Sequence, residues 1–553
     1  MKKLFLVLLV SLFVFGGNAQ GLIQEYAGML QELESNVSNK EFVKVWKKQK
    51  KTWESNCENA TTVKQVSELT VEFISKVYEV KMLKARIVVT DKLSDQSMAL
   101  SGVYNILKET DLHKWSDNDK KAFRTKLDGL MAKINEQNVR MDRHFVMEMI
   151  AKAPPTFDIT PRNVKRKITV GGPYILFGNV SSPPAYWDME INKKIPGSRE
   201  MFTNFCKLSQ YFNCIHFLGG YPVEPVDLHP STRHLDAVFD KLILSDKVAH
   251  AYSLGKERVE DVMEMVRIAG NLSHDQFEAS PKMFTNINST SPLKHDEPML
   301  DGWMRLAEKN QALIVTPFTL AGAMAPVTMA GAVAQSIAEA LCVVALAQYI
   351  RPGAACVIGT FTSNVDMKSG APAFGTPEYM RATQMTGQLA RYYGLPMRSS
   401  GVCAANIPDG QSIWETSNSL WAAVQSGTNL VYHAAGWLEG GLIASPEKFI
   451  MDCEIIQQIQ RYFDPMLTAT KTEDIAVDAI KEVGNDGHFF GIQHTQDRYS
   501  EAFYQPFLSD WRNFEAWEAA GGIWTAERAH KKYKMILNEF EAPHLDQGIK
   551  EEL

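Results

Sequence analysis

The sequence has no CxxC pair, no HExxH, no GxSxG, no GxGxxG turn behind a strand and no GxxxxGK followed by Ser or Thr. Each of these is a local geometry that a chemistry needs, so dinucleotide and triphosphate binding, elbow-serine hydrolysis and zincin chemistry all lack their signature. The cysteines are odd in number, seven, and Cys57, Cys206, Cys214, Cys342, Cys356, Cys403 and Cys453 show neither a zinc spacing nor a disulfide framework. They read as buried free thiols. His488 and His494 lie six apart, which does not suit ligation from adjacent helical turns, so no metal site is expected. Charged residues make up 22% of the chain, the net charge is -6, and no basic stripe is interleaved with aromatics, which excludes a nucleic-acid footprint. Small molecules or proteins are the expected partners.

Long uncharged runs are almost absent too. Lys2 and Lys3, the apolar stretch Leu4–Phe15 and the small residues Gly17-Asn18-Ala19 read as a secretory leader over residues 1–19. The other run, Ala321–Ile350, has Glu339 as its one charge. Its Ala, Gly, Pro326, Gln335 and Gln348 make it weakly apolar, and a central carboxylate costs roughly 2.5–3.5 kcal/mol on membrane insertion. It reads as a helix buried inside a large protein, leaving no transmembrane span beyond the leader.

At 553 residues the chain holds at least one large domain and something more. Residues 20–140 form a helical N-terminal region, Lys/Glu-rich with apolar residues such as Val66, Leu69, Phe73, Val77 and Val80 at helical spacing. No motif there carries chemistry, and Trp46, Trp53 and Trp115 read as packing anchors. Pro154-Pro155 and Thr160-Pro161 then break any helix. Beyond them short β-branched runs alternate with long apolar helices, the signature of βα units on a parallel sheet. Four units are plain: Ala312–Thr316 with the helix 335–349, Ala355–Thr360 with a helix opening at Thr376-Pro377-Glu378, Met397–Ala404 with 412–425, and Asn429–Ala434 with a helix from Ser445-Pro446-Glu447 to Phe463. The two Ser/Thr-Pro-Glu starts combine a cap oxygen, a preset first-turn dihedral and a carboxylate at the positive end of the dipole. Cys214–Leu218, Lys247–Tyr252 and Met283–Asn288 bring the strands to seven, with an eighth not visible. The fold class that follows is α/β: a (β/α)8 TIM-type barrel over residues 141–553.

In such a barrel the loops after the strands carry function. They hold Phe318, Phe361, Asn364, Asp366, Lys368, Phe374, Asn406, His433, Trp437 and Glu439, and Arg398 stands in the strand 397–404. The rings can simply plug the barrel mouth, and Asp366 with Lys368 can be a solvated pair. Their convergence without a triad or metal spacing instead suits a cationic, weakly hydrated ligand held by aromatic faces.

LIVTPFTLAGAMAPVT from Leu313, GTFTSNVDMKSGAPAFGTPEY from Gly359, GQLARYYGLPMRSS from Gly387 and HAAGWLEGGLIASPEKF from His433 resemble the trimethylamine methyltransferase family. The likeness runs from about Met141 to the end, while residues 1 to about 140 do not look like the family's opening segment. With only standard residues the chain looks like the non-pyrrolysine branch of that family, and the resemblance implies action on quaternary amines such as glycine betaine, proline betaine or carnitine. The resemblance implies a barrel that presents a methylated amine to the cob(I)alamin of a separate corrinoid protein, with no metal or nucleotide bound by this chain. It also implies cytoplasmic chemistry, against the plain reading of residues 1–19, and leaves association between copies of the chain open. On that reading Phe318, Phe361, Phe374 and Trp437 are the aromatic grip and Asn364, Arg398, Asn406 and His433 meet the polar tail of the substrate. Asp366 and Glu439 are orienting carboxylates, and with His433 they are the candidate catalytic groups. Arg398 can take a carboxylate bidentately, the competing reading being an ion pair inside the barrel. Two rivals remain: an exported betaine receptor without turnover, and an exported barrel hydrolase using Asp366 and Glu439.

Overall fold

Two helices begin where the Ser/Thr-Pro-Glu signals place them. Thr376 accepts from the Tyr379 amide at 3.3 Å and the helix runs Pro377–Tyr393; Ser445 accepts from the Lys448 amide at 3.1 Å and the helix runs Pro446–Phe463. Asp409 caps a third, Gly410–Gln425, through the Ser412 amide. The computed structural model describes residues 50–57, 141–464 and 475–553. The leader-like residues 1–19, most of the helical N-terminal region, Trp46 and Trp115 lie outside them. Within residues 50–57, which are helical, Trp53 is buried.

The chain divides into two units, Met1–Arg140 and Met141–Leu553, and the barrel lies in the second. Seven parallel strands are hydrogen-bonded in the spatial order Leu176–Asn179, Leu430–Ala435, Met397–Ser400, Cys356–Gly359, Ala312–Val315, Phe284–Ile287, His250–Ala251. Phe217 closes the ring, bridging in parallel to Gly178 on one side and Val248 on the other. Eight parallel segments therefore form a closed barrel, which leaves the sheet no free edge.

The strand missing from the sequence reading is the first of the barrel, Leu176–Asn179. It is short, it follows Gly171-Gly172-Pro173, and its partners lie some 250 residues away, with Leu430 opposite Leu176 and Val431 opposite Phe177. Nothing local announces it. Met397–Ala404 shortens to Met397–Ser400, beyond which Gly401 N still donates to the Tyr432 carbonyl at 2.9 Å. The expected helix 335–349 starts earlier, as Met329–Ile350. That helix is long and apolar enough to cross a membrane by length and composition. Its Ala340, Val344 and Ala347 are nonetheless wholly buried, and Glu339 accepts from Ser291 Oγ (2.6 Å), Leu293 N (2.8 Å), Gln335 Nε2 (2.9 Å) and Ser289 Oγ.

The two ends of the barrel differ. Below, an antiparallel hairpin, Thr156–Ile159 with Ile168–Gly171, drives Ile159, Ile168 and Val170 into the interior against Leu176, Phe217, Val248, Phe284, Ala312 and Leu430. Above, stretches expected to be plain loops carry small sheets of their own. Leu320–Ala321, Ser363–Val365 and Pro372–Ala373 form one; Ala185–Asp188, Lys193–Pro196, Trp437–Leu438 and Ile443–Ala444 form the other. The loop after the eighth strand is thereby tied, through Ile443–Ala444, to Ala185 and Tyr186.

Candidate active site

Strand alternation sends Arg398 into the barrel, where it is 2% exposed. Its path crosses the sixth strand at Gly359, where a Cβ would sit 2.3 Å from Thr316 Oγ1 and 3.1 Å from Arg398 Cδ, so a larger residue would clash with Thr316 and crowd the arginine. The guanidinium carbon stands 4.5 Å from the centre of the Tyr432 ring and 5.3 Å from that of Phe361. Stacking of this kind suits a planar, weakly hydrated cation. Burial lowers the Arg398 pKa to about 10, which leaves it charged at neutral pH.

Nη2 of Arg398 lies 3.1 Å from His433 Nε2. His433 has φ +50° inside the eighth strand, where the register shifts between Val431 and Ala435. A histidine is rarely found there, and the cost is borne by the surroundings that fix it. Gly436 N donates to Asp452 Oδ2 at 2.8 Å, and Cys403 Sγ donates to the Trp437 carbonyl at 2.9 Å. Asp452 is itself paired with Lys448, which also donates to Thr416 Oγ1 at 2.8 Å, all within the core. The bulge turns the His433 ring onto Trp437, with ring centres 4.2 Å apart. Burial first, and then the Arg398 charge, holds His433 well below the usual histidine range, so it is neutral at pH 7.

Above these groups lies an aromatic cluster. Phe361 is its hub, with ring centres 5.4 Å from Phe318, 5.1 Å from Phe374, 5.8 Å from His433 and 5.9 Å from Trp437. Phe374 is wholly buried and meets Phe361, Tyr379 and Trp437 edge-on, so it backs the cluster rather than lining it.

The polar candidates are dispersed. Asp366 binds Ser369 Oγ and the Ser369 amide within its own turn, and these bonds, Ser369 Oγ first, lower its pKa. It makes no ion pair with Lys368. Glu439 is paired with Lys194 at 2.5 Å on the neighbouring hairpin. Asn364 accepts from Thr376 Oγ1 at 3.2 Å, and Asn406 is exposed. Both carboxylates a hydrolase would need are thus engaged elsewhere, in separate turns. Among the described residues no group of three His, Cys, Asp or Glu is arranged to hold a metal.

Two site residues escaped the sequence reading. Tyr432 is the inward residue two beyond Leu430, a signal available from alternation alone. His250, on the third strand, faces the same interior from the opposite wall; its Nε2 accepts from the Asn286 amide at 3.1 Å, and burial holds it neutral.

The family model described as trimethylamine methyltransferase (MTTB) matches residues 66–553. The match includes part of the N-terminal region that looked foreign to the family, which corrects that expectation. A glycine betaine methyltransferase of Desulfitobacterium hafniense (strain Y51) is 34% identical over 419 residues, covering 75% of this chain and 86% of that protein. A trimethylamine methyltransferase of Desulfitobacterium hafniense (strain DSM 10664 / DCB-2) is 27% identical over 421 residues, covering 74% and 82%. The crystal structure of the Methanosarcina barkeri monomethylamine methyltransferase aligns with a TM-score of 0.39 at 10% identity, over 73% of this chain and 82% of that one. A match spanning residues 66–553, together with a relative more than 30% identical over three-quarters of the chain, establishes that this protein belongs to the trimethylamine methyltransferase family.

Proposed function

We propose that the protein transfers a methyl group from a quaternary or tertiary methylated amine, of which glycine betaine is the type, to the cob(I)alamin of a separate corrinoid protein. The observation that carries this reading is the barrel mouth, where aromatic faces converge beside a neutral His433 and, among the described residues, no carboxylic acid stands ready to protonate a leaving group. Methyl transfer from a quaternary ammonium, or from a tertiary amine that is bound as its protonated ammonium, needs no proton from the protein. The carbon–nitrogen bond breaks with its electron pair staying on nitrogen, and the amine departs neutral, so general acid catalysis is superfluous. The work left to the protein is positioning: holding one methyl in line with the incoming metal nucleophile and keeping water away.

Aromatic faces suit this task better than a carboxylate would. An anion tight against the ammonium stabilises the ground state more than the transition state, because the charge on nitrogen fades as the bond breaks. Phe361, Phe318 and Trp437 grip the cation more mildly. The acceptor is supplied by the partner protein, and its cobalt(I) provides the nucleophile. The barrel is plugged below by the 156–171 hairpin, so the acceptor approaches from the loop side. A strongly reduced acceptor suits the cytoplasm, and N-terminal sequencing of the mature protein tests this: a chain beginning at Gln20 would mean export.

The test of the activity is incubation with cob(I)alamin and a panel of methylated amines, following cobalt methylation by absorbance. Transfer from at least one amine is expected. Tight binding of those amines with no transfer would establish the receptor reading instead.

A further inference from the structure

Two of the helices that follow the barrel strands carry a single charge each: Met329–Ile350, with Glu339, and Gly410–Gln425, with Glu415. The other six carry three to seven. In both exceptions the lone carboxylate is turned inward, Glu339 onto Ser291 and the Leu293 amide, and Glu415 onto the amides of Ala404 at 2.8 Å and Ala405 at 3.0 Å. An outer helix face without charge calls for a cover. Met329–Ile350 has one, because helix Arg143–Ile150 packs on it and sets Phe145 against Tyr349 with ring centres 6.0 Å apart. Gly410–Gln425 packs against its flanking helices, Pro377–Tyr393 and Pro446–Phe463, and against the strands beneath. Its outer face stays open, with Trp414 59% exposed.

The residues of that face are Gln411, Trp414, Asn418, Trp421 and Gln425, and none of them is buried. They are spaced three, four, three and four apart, the spacing of a seam along which one helix meets another. Their order, Gln-Trp-Asn-Trp-Gln, reads the same in both directions. A helix laid antiparallel on its own copy therefore sets Gln411 on Gln425, Trp414 on Trp421 and Asn418 on Asn418, so that the pattern is complementary to itself across a two-fold axis. No charge on the seam repels its twin. The amides can pair reciprocally: Gln411 gives one hydrogen to Glu415 Oε1 at 2.9 Å and Asn418 one to the Gly375 carbonyl at 3.3 Å, and each keeps a second hydrogen and its own oxygen.

We infer that this face binds a second copy of the chain, helix Gly410–Gln425 lying antiparallel on its twin about a two-fold axis at Asn418. A stable interface buries about 800 Å² per partner, more than one helix face supplies. The flanking helices extend it. Trp421 meets Tyr462 and Phe463 with ring centres 5.3 and 6.2 Å away, both of those rings are exposed, and so is Tyr392 at the end of Pro377–Tyr393. Gln384 Nε2 donates to Gln425 Oε1 at 3.5 Å and joins that helix to the seam. Aromatic rings and amides at the centre, with the exposed Arg391 and Arg461 at the margin, have the composition of a protein interface. The contact lies on the flank of the barrel, away from Arg398 and Phe361, so it goes beyond the methyl-transfer reading and does not depend on it.

The experiment uses the full chain: sedimentation reads its mass and cross-linking reads the geometry. The wild type is expected to sediment as a dimer at micromolar concentration. Trp414→Glu sets a carboxylate against the Trp421 ring of the other copy and should raise the dissociation constant by about 100-fold, as loss of an aromatic anchor at an interface centre does. Asn418→Cys should give a disulfide-linked dimer with glutathione disulfide as oxidant: the two thiols lose two protons and two electrons, and glutathione leaves as two thiols. Gln411→Cys alone should not link, because the two copies of that position stand roughly 21 Å apart along the pair at about 1.5 Å per residue. Gln411→Cys mixed with Gln425→Cys should. Wild type, with six of its seven cysteines buried, gives the background. A monomeric wild type would assign the face to a different partner and overturn the inference. So would a dimer that survives Trp414→Glu without linking through Asn418→Cys, or one that links through Gln411→Cys alone. If Trp414→Glu does not fold, the wild-type mass and the cross-links still decide.

Discussion

Two buried cations serve the same loop in opposite ways. Lys448 is wholly buried with Asp452 beside it and Thr416 as a third partner, and Asp452 passes the constraint on to the Gly436 amide. Arg398 is equally buried but has only a neutral histidine and two aromatic faces. One site spends its electrostatics within the fold, fixing the turn that carries His433 and Trp437. The other leaves them open. A charge paired within the folded chain is structural, whereas a buried one without a counter-charge on the chain is available to a ligand.

The comparison breaks most violently at Asp452. Asp452→Ala strands the Lys448 ammonium and frees the Gly436 amide, and should lower the unfolding free energy in urea by about 3–5 kcal/mol. The double change Lys448→Met with Asp452→Leu should restore most of it, because removing both charges leaves nothing unpaired. At the other cation the expected result is reversed: Arg398→Met should cost about 100-fold in kcat/KM for betaine, or about 2.7 kcal/mol, with no loss in urea stability. A stability loss there as large as at Asp452 would make Arg398 structural.

Acid sharpens the contrast from a third side. His433 is held well below the usual range, so the unfolded chain takes up a proton near pH 6.5 that the folded site refuses, and stability falls as pH drops below that point. His433→Asn, which tolerates positive φ, should flatten the acid side of the urea-stability profile; an unchanged profile would mean the ring is charged in the fold. Smallest is Glu439→Gln, which cuts a half-exposed pair with Lys194 and should change stability by under about 1 kcal/mol and activity only a few-fold. A larger fall in kcat would restore Glu439 to the chemistry.

How much of this was legible beforehand depended on how local each signal was. Helix starts at Pro377 and Pro446 were written in three residues each, and seven strands stood out from their β-branched runs. The first strand did not, because Leu176–Asn179 is a strand only by virtue of Leu430 and Phe217. Among site residues, Phe361, Arg398, His433 and Trp437 were noticed for their side chains and do meet. Asp366, Asn364, Glu439 and Asn406 stood in the same loops by sequence, yet Asp366 is bound within its own turn, Asn364 and Glu439 to neighbouring segments, and Asn406 is exposed. Tyr432 and His250 were passed over as ordinary strand residues.

Chain order and periodicity by themselves determined the βα rhythm, the barrel class and the set of loops in which a site could form. They did so because propensity, capping and alternation act over a few residues. Tertiary structure alone decided that Arg398 has no carboxylate while Lys448 has one, and that the bulge turns His433 onto Trp437. Those outcomes depend on which strands are neighbours around a closed ring, and closure joins residues too far apart in sequence for any local pattern to record.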